Sequence, residues 1–179
     1  MVARTKKTPV APFVVVVDTR EQAPYRFTEI ENDRFSGGGI LLIPLKTDAA
    51  LPSGDYSIVG YENSMAVERK SMIDLFGSVG SGRQRFEAEI QRLNEFDFAA
   101  VVVEAELGEL ILRPPPQSQL SPKTITRTVQ SWSIKYPMVH WFFLPSRRAA
   151  ELWTFRLLEM YWRQRQHEEK EQEKLQSTE

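Results

Sequence analysis

Met65-Ala66-Val67-Glu68-Arg69-Lys70-Ser71-Met72-Ile73-Asp74-Leu75 changes character twice. Its apolar start reads as a strand, and its Glu68-Arg69-Lys70 end breaks into charge. Ser71 then suits a helix N-cap, with Asp74 three positions on, close to a capping box. Side chains alternate along a strand, so Glu68 and Lys70 share one side and Arg69 faces away. Upstream, Pro52-Ser53-Gly54-Asp55 reads as a turn and Tyr56-Ser57-Ile58-Val59-Gly60 as a strand. The two strands form a meander joined by Tyr61-Glu62-Asn63-Ser64. Asp55 therefore opens one arm and Glu68 ends the other.

Working outward, Phe13-Val14-Val15-Val16-Val17 is a β-branched run suited to a strand buried on both faces. It ends abruptly at Asp18-Thr19-Arg20-Glu21. Ser36-Gly37-Gly38-Gly39 marks a turn, and 40–45 reads as one further strand. Downstream, Phe86, Ile90 and Leu93 give helical spacing over 83–96. Phe98–Val103 is a buried strand ending at Glu104. Ser121-Pro122 starts a helix that runs to Tyr136. Val139–Leu144 is the last strand, and Ser146 caps a long final helix. Strands alternating with helices predict an α/β domain with a mixed central sheet flanked by helices.

The chain has 179 residues and a formal net charge of −1. That length fits one domain with short appendages: an arm over 1–12, a core over 13–145, a C-terminal helix over 146–165 and a polar acidic tail over 166–179. The absence of cysteine excludes a disulfide scaffold and thiolate-bound zinc. No apolar run approaches a membrane span and no secretory signal is readable, so the expected location is the cytoplasm. The charge balance excludes a histone-like polycation. The tail concentrates glutamate, which leaves the rest net positive.

The carboxylates at strand ends carry the chemistry. Asp18, Asp55 and Glu68 each adjoin apolar strand residues, and Lys70 joins Glu68. Carboxylates converging with a lysine suit Mg²⁺-dependent phosphodiester hydrolysis, because Mg²⁺ takes oxygen ligands and keeps several waters. By itself the spacing also fits a structural ion-pair network.

The stretch from Asp18-Thr19-Arg20-Glu21 through Gly54-Asp55-Tyr56 to Val67-Glu68-Arg69-Lys70-Ser71-Met72-Ile73-Asp74-Leu75 resembles the nuclease domain of the XPF family. Its hallmark is Gly-Asp, a spacer, then Glu-Arg-Lys-x-x-x-Asp. The segment Gly77-Ser78-Val79-Gly80-Ser81-Gly82-Arg83 is similar too. The resemblance implies a restriction-endonuclease-like fold and a metal-dependent endonuclease cutting branched or junction DNA, in DNA repair or recombination. It implies Mg²⁺, with Mn²⁺ able to substitute. Asp55, Glu68 and Asp18 would hold the metal, joined by the backbone carbonyl of Arg69. Lys70 would be the catalytic lysine. It further implies that Arg69 pairs with an acid or contacts DNA, that Asp74 braces a basic neighbour, and that subunits pair as a homodimer. Family members generally carry a tandem helix-hairpin-helix module that this chain has no room for, so it looks like a stand-alone bacterial or phage nuclease domain. The alternative is a non-catalytic DNA-binding scaffold, which the intact acids argue against. A third reading is a restriction or junction-resolving enzyme of the same fold.

Arg20 suits bidentate phosphate contact, with Glu21 in support. Arg83 and Arg85 open a helix, where cations oppose the macrodipole, and this points to an anionic partner such as DNA. Lys123, Arg127 and Lys135 form a stripe on one helix, and Arg4, Lys6 and Lys7 a basic arm. His140 is expected as a core histidine and Trp153 as core.

Overall fold

The computed structural model describes residues 8–35 and 38–177. Arg4, Lys6, Lys7, Ser36 and Gly37 lie outside the described residues. Eight strands and five helices follow one another among the described residues. They are β1 (Val15–Asp18), β2 (Ile30–Glu31), β3 (Ile40–Leu41), β4 (Leu45–Ala49), β5 (Tyr56–Ile58), β6 (Met65–Lys70), α1 (Met72–Val79), α2 (Arg83–Leu93), β7 (Phe98–Val103), α3 (Leu107–Leu112), α4 (Pro122–Lys135), β8 (Val139–Phe143) and α5 (Arg147–Gln176).

The main sheet has six strands in the order β4-β1-β5-β6-β7-β8. β5 runs antiparallel to both β1 and β6, and β6, β7 and β8 are parallel. The carboxyl ends of β1, β6, β7 and β8 therefore share one edge with the start of β5. In open α/β sheets that edge is where ligands bind.

Each sheet face has its own core. Val15, Val17, Met65, Val67, Ala100 and Val102 pack towards α5. Ala66, Ala99, Val101 and Val103 pack towards α1, α2 and α4. This is the mixed sheet with helices on both faces that the sequence predicts, and β7, buried on both faces, explains its unbroken apolar run.

The expected strand over 40–45 divides in two. Pro44 has no N–H to donate, but its carbonyl accepts from Val15 N (2.9 Å) as the chain passes from the β2–β3 ribbon into β4. β2 and α3 are additional. α5 runs unbroken to Gln176, so most of the expected tail is a solvated helical extension. Its first half clamps the irregular segment after β1. Arg147 donates to the carbonyls of Ala23 and Pro24, and Glu151 accepts from the N–H groups of Arg26 and Phe27.

Two expectations of burial fail at the ends of the sheet. His140 is exposed because β8 is an edge strand, and it stacks on Phe98 at 4.9 Å between centroids. Trp153 is 42% exposed on the outer side of α5, touching Phe142.

Candidate active site

The site begins with a glycine. Gly54 has a φ of +78°, which L side chains rarely adopt, and a Cβ there would meet the Ala66 Cβ at 3.0 Å. Only glycine lets the 52–55 turn lie directly on β6. Gly54→Ala is expected to lower stability by about 1–2 kcal/mol, read by urea unfolding.

That turn delivers Asp55 between two strands. Its N–H donates to Val67 O (2.8 Å), and its carbonyl accepts from Asp18 N (2.8 Å). Its Oδ2 accepts from the Arg69 N–H at 2.7 Å. Asp55 thus continues the β1–β5–β6 ladder, and its side chain is fixed by the backbone of the Glu-Arg-Lys motif.

Alternation on β6 acts as expected. Ala66 faces the α1–α2 core, so Glu68 and Lys70 do too, while Arg69 faces α5. Asp18 follows inward-facing Val17 and turns to the same side as Glu68. Lys70 Nζ donates to Glu68 Oε1, and the ammonium lies 4.9 Å from the centre of the Phe86 ring on α2. Burial raises the Asp55 carboxyl to about 7, helped by Glu21 and Glu89 and opposed by the Arg69 N–H and Lys70. Burial also raises Glu68, and the Asp55 charge adds to it. Burial alone would lower the Lys70 ammonium, but Glu68 and Asp55 raise it instead. Two crowded carboxyls that resist ionising beside a buried ammonium form a site that gains from an added cation.

Asp18 differs from expectation. Its Oδ1 accepts from Arg20 N (2.7 Å) and Nε (2.8 Å), and its Oδ2 from Arg20 Nη2 (2.8 Å) and Leu51 N (2.6 Å). Burial would raise it, but these donors hold it below the usual carboxylate range. Asp18 therefore reaches the site as an acid saturated by protein donors, tying the 18–20 turn to the 51–55 turn.

A family model described as the ERCC4 domain matches residues 17–157. The chain belongs to the ERCC4-domain family. Its fold is also that of the protein described as XPF from Aeropyrum pernix, at a TM-score of 0.56 and 20% identity, over 86% of this chain and 61% of that one. A second structure, XPF from Aeropyrum pernix in complex with DNA, aligns at a TM-score of 0.58 and 20% identity, over 87% and 66% of the two chains. This chain thus spans less than two thirds of those relatives. No curated protein matches. The domain that the Gly54-Asp55 and Glu68-Arg69-Lys70 motifs point to is an ERCC4 domain with the fold of the XPF structures.

Within this ERCC4 domain, several expected DNA contacts are already engaged. Arg69 forms a fork on Glu104, with Nε–Oε1 at 2.7 Å and Nη2–Oε2 at 3.0 Å, and reaches Glu21 Oε1 at 3.4 Å. Its acid-pairing role is the observed one, and its side chain is 10% exposed. Arg83 donates to Thr128 Oγ1 (2.8 Å) and covers Trp132, which ties α2 to α4. Arg20 is exposed beyond its Asp18 fork, and Arg85 is exposed with no partner among the described residues. Asp74 bonds Ser71, the α1 N-cap, through Ser71 Oγ–Asp74 Oδ2 at 2.6 Å rather than a basic neighbour.

Glu104, Arg147 and Glu89 join the site without having been singled out. Glu104 ends β7 level with Lys70, whose carbonyl accepts its N–H at 2.8 Å, and Arg147 Nη1 meets its Oε1 at 2.9 Å. The charge ending Phe98–Val103 was the available signal for Glu104. Among the described residues no three Asp, Glu or His side chains form a ready-made metal cluster. The donor set nonetheless fits Mg²⁺. Asp55 and Glu68 are hard oxygen donors, each with one oxygen outside the hydrogen bonds above.

Proposed function

We propose that this chain is a divalent-metal-dependent DNA endonuclease that cuts branched or junction DNA. The observation that carries it is the convergence of Asp55, Glu68 and Lys70 at the carboxyl edge of the sheet. Asp55 and Glu68 would hold Mg²⁺ or Mn²⁺, with the Arg69 carbonyl as a further oxygen. When bound, the metal supplies charge neutralisation at phosphorus and a more acidic water. Lys70, held by Glu68 and Phe86, would offer its remaining N–H donors to the attacking water and the scissile phosphate. Arg69 and Glu104 keep the end of β6 straight, so that Glu68 and Lys70 stay on one side. Arg20 and Arg85 face phosphate beyond the site. DNA bound to the relative with the same fold supports the choice of substrate.

The test incubates the chain with flap, fork, four-way-junction, duplex and single-stranded DNA, in Mg²⁺, Mn²⁺ or EDTA. Metal-dependent cutting of a branched substrate is the expected result. Binding without cutting in any metal would establish the scaffold reading instead.

The same reading includes a homodimer. Leu144, Leu152, Trp153, Leu157 and Met160 line an apolar groove along α5, and Arg148, Arg156, Glu29 and Glu31 rim it with both signs of charge. A two-fold contact needs such self-complementarity. Trp153→Glu is expected to convert the dimer to a monomer in light scattering, with melting unchanged. An unchanged mass would place the pairing elsewhere.

A further inference from the structure

Asp18 is saturated, so the proposed site lacks the third acid expected of it. α2 carries an acid in a position to fill that role. Phe86, Ile90 and Leu93 form the buried stripe of α2, against the sheet face that Glu68 and Lys70 share. Phe86 lies against Lys70 Nζ, and Glu89 follows it by one helical turn, next to buried Ile90. Glu89 is half-buried and makes no hydrogen bond or ion pair among the described residues. Its charge acts on Asp55, Glu68, Lys70 and Arg20 together. A carboxylate left without a donor beside two others is unfavourable unless a cation joins them.

We propose that Glu89 is a positioning residue of this site, accepting hydrogen bonds from the waters of the bound divalent cation. The inference rests on the metal-dependent reading above. Charge supports it. Asp18 is neutralised by Arg20, and Lys70 offsets one of Asp55, Glu68 and Glu89. The remainder matches one divalent cation. Mg²⁺ and Mn²⁺ keep several waters when protein carboxylates are few, so an outer carboxylate has donors to bind.

The test titrates MnCl₂ into the metal-free chain by calorimetry. Glu89→Gln is expected to weaken Mn²⁺ binding about 10–100-fold, the usual effect of losing such an outer group. Its metal-free melting temperature should hold or rise, since no hydrogen bond is lost and a like charge is removed. Glu95→Gln removes the same charge from an exposed residue just beyond α2 and should bind as the parent does. Glu89→Asp keeps a carboxylate and should recover most of the affinity. Parental affinity in Glu89→Gln, or equal loss in Gln and Asp variants, would overturn the role of Glu89 and leave the site itself standing. No Mn²⁺ binding by the parent would overturn the metal reading beneath it.

Discussion

Glu68→Gln and Lys70→Met are each expected to slow the proposed metal-dependent DNA cleavage by about 10²–10⁴-fold under single-turnover conditions. Glu68 is buried, Lys70 is half-buried against it, and the two share a hydrogen bond, so they act as one unit. Glu68→Gln removes a metal-holding charge and also frees Lys70 from its orienting partner. Lys70→Met keeps the bulk against Phe86 but removes the ammonium. The double variant is therefore expected to be no slower than the slower single, because effects within one catalytic unit do not add. Gln and Met keep the packing, whereas alanine at Glu68 would strand a buried ammonium and confuse activity with folding. Cleavage within a few-fold of the parent in Glu68→Gln would show that the active centre is elsewhere.

The structure explains why some of this was legible in sequence. Glu68 and Lys70 could be placed on one side because strand alternation is strict, and β6 is a regular strand paired on both sides. The Gly54-Asp55 pair could be read because a positive-φ turn against β6 tolerates little but glycine. Roles that depend on partners distant in sequence could not be read. Whether Asp18 is free depends on Leu51 N–H and the rotamer of Arg20. Whether Arg69 meets DNA or protein depends on Glu104, at the end of another strand. Glu89 was not singled out, because helical periodicity identifies the buried stripe but not what faces its neighbours across the sheet. The partners of Arg83 were hidden in the same way, since Thr128 and Trp132 sit on α4. His140 and Trp153 were misjudged because composition does not say which strand lies at a sheet edge.

Asp55→Asn is expected to make the metal-free protein more stable at pH 8 and to abolish the proposed response to metal. The sign follows from linkage. In the folded chain, burial lifts the Asp55 carboxyl to about 7, against an ordinary value of 3.8. Between those values the folded state holds a proton that the unfolded state has lost, so stability falls as pH rises through that window. Below it both states are protonated and the carboxyl has no effect. Above it the whole penalty of a buried charge beside Glu68 is present. Asparagine carries no charge, and its Oδ1 can still accept the Arg69 N–H. It also removes the charge that helps to lift Glu68. The expected gain in EDTA at pH 8 is about 2–8 °C in Tm, equivalent to about 1–2 kcal/mol in a chain of this length, shrinking towards zero near pH 4. Adding MgCl₂ is expected to reverse the ranking. If the parent binds the cation as proposed, it should gain about 2.7 kcal/mol at a hundredfold excess over Kd, while the variant should gain none. Cleavage by the variant is expected to fall to the EDTA level. Thermal melts of both proteins across pH, with and without Mg²⁺, read all of these effects. If Asp55→Asn melted below the parent at pH 8 in EDTA, Asp55 would be a stabilising acid rather than one held ready for a cation.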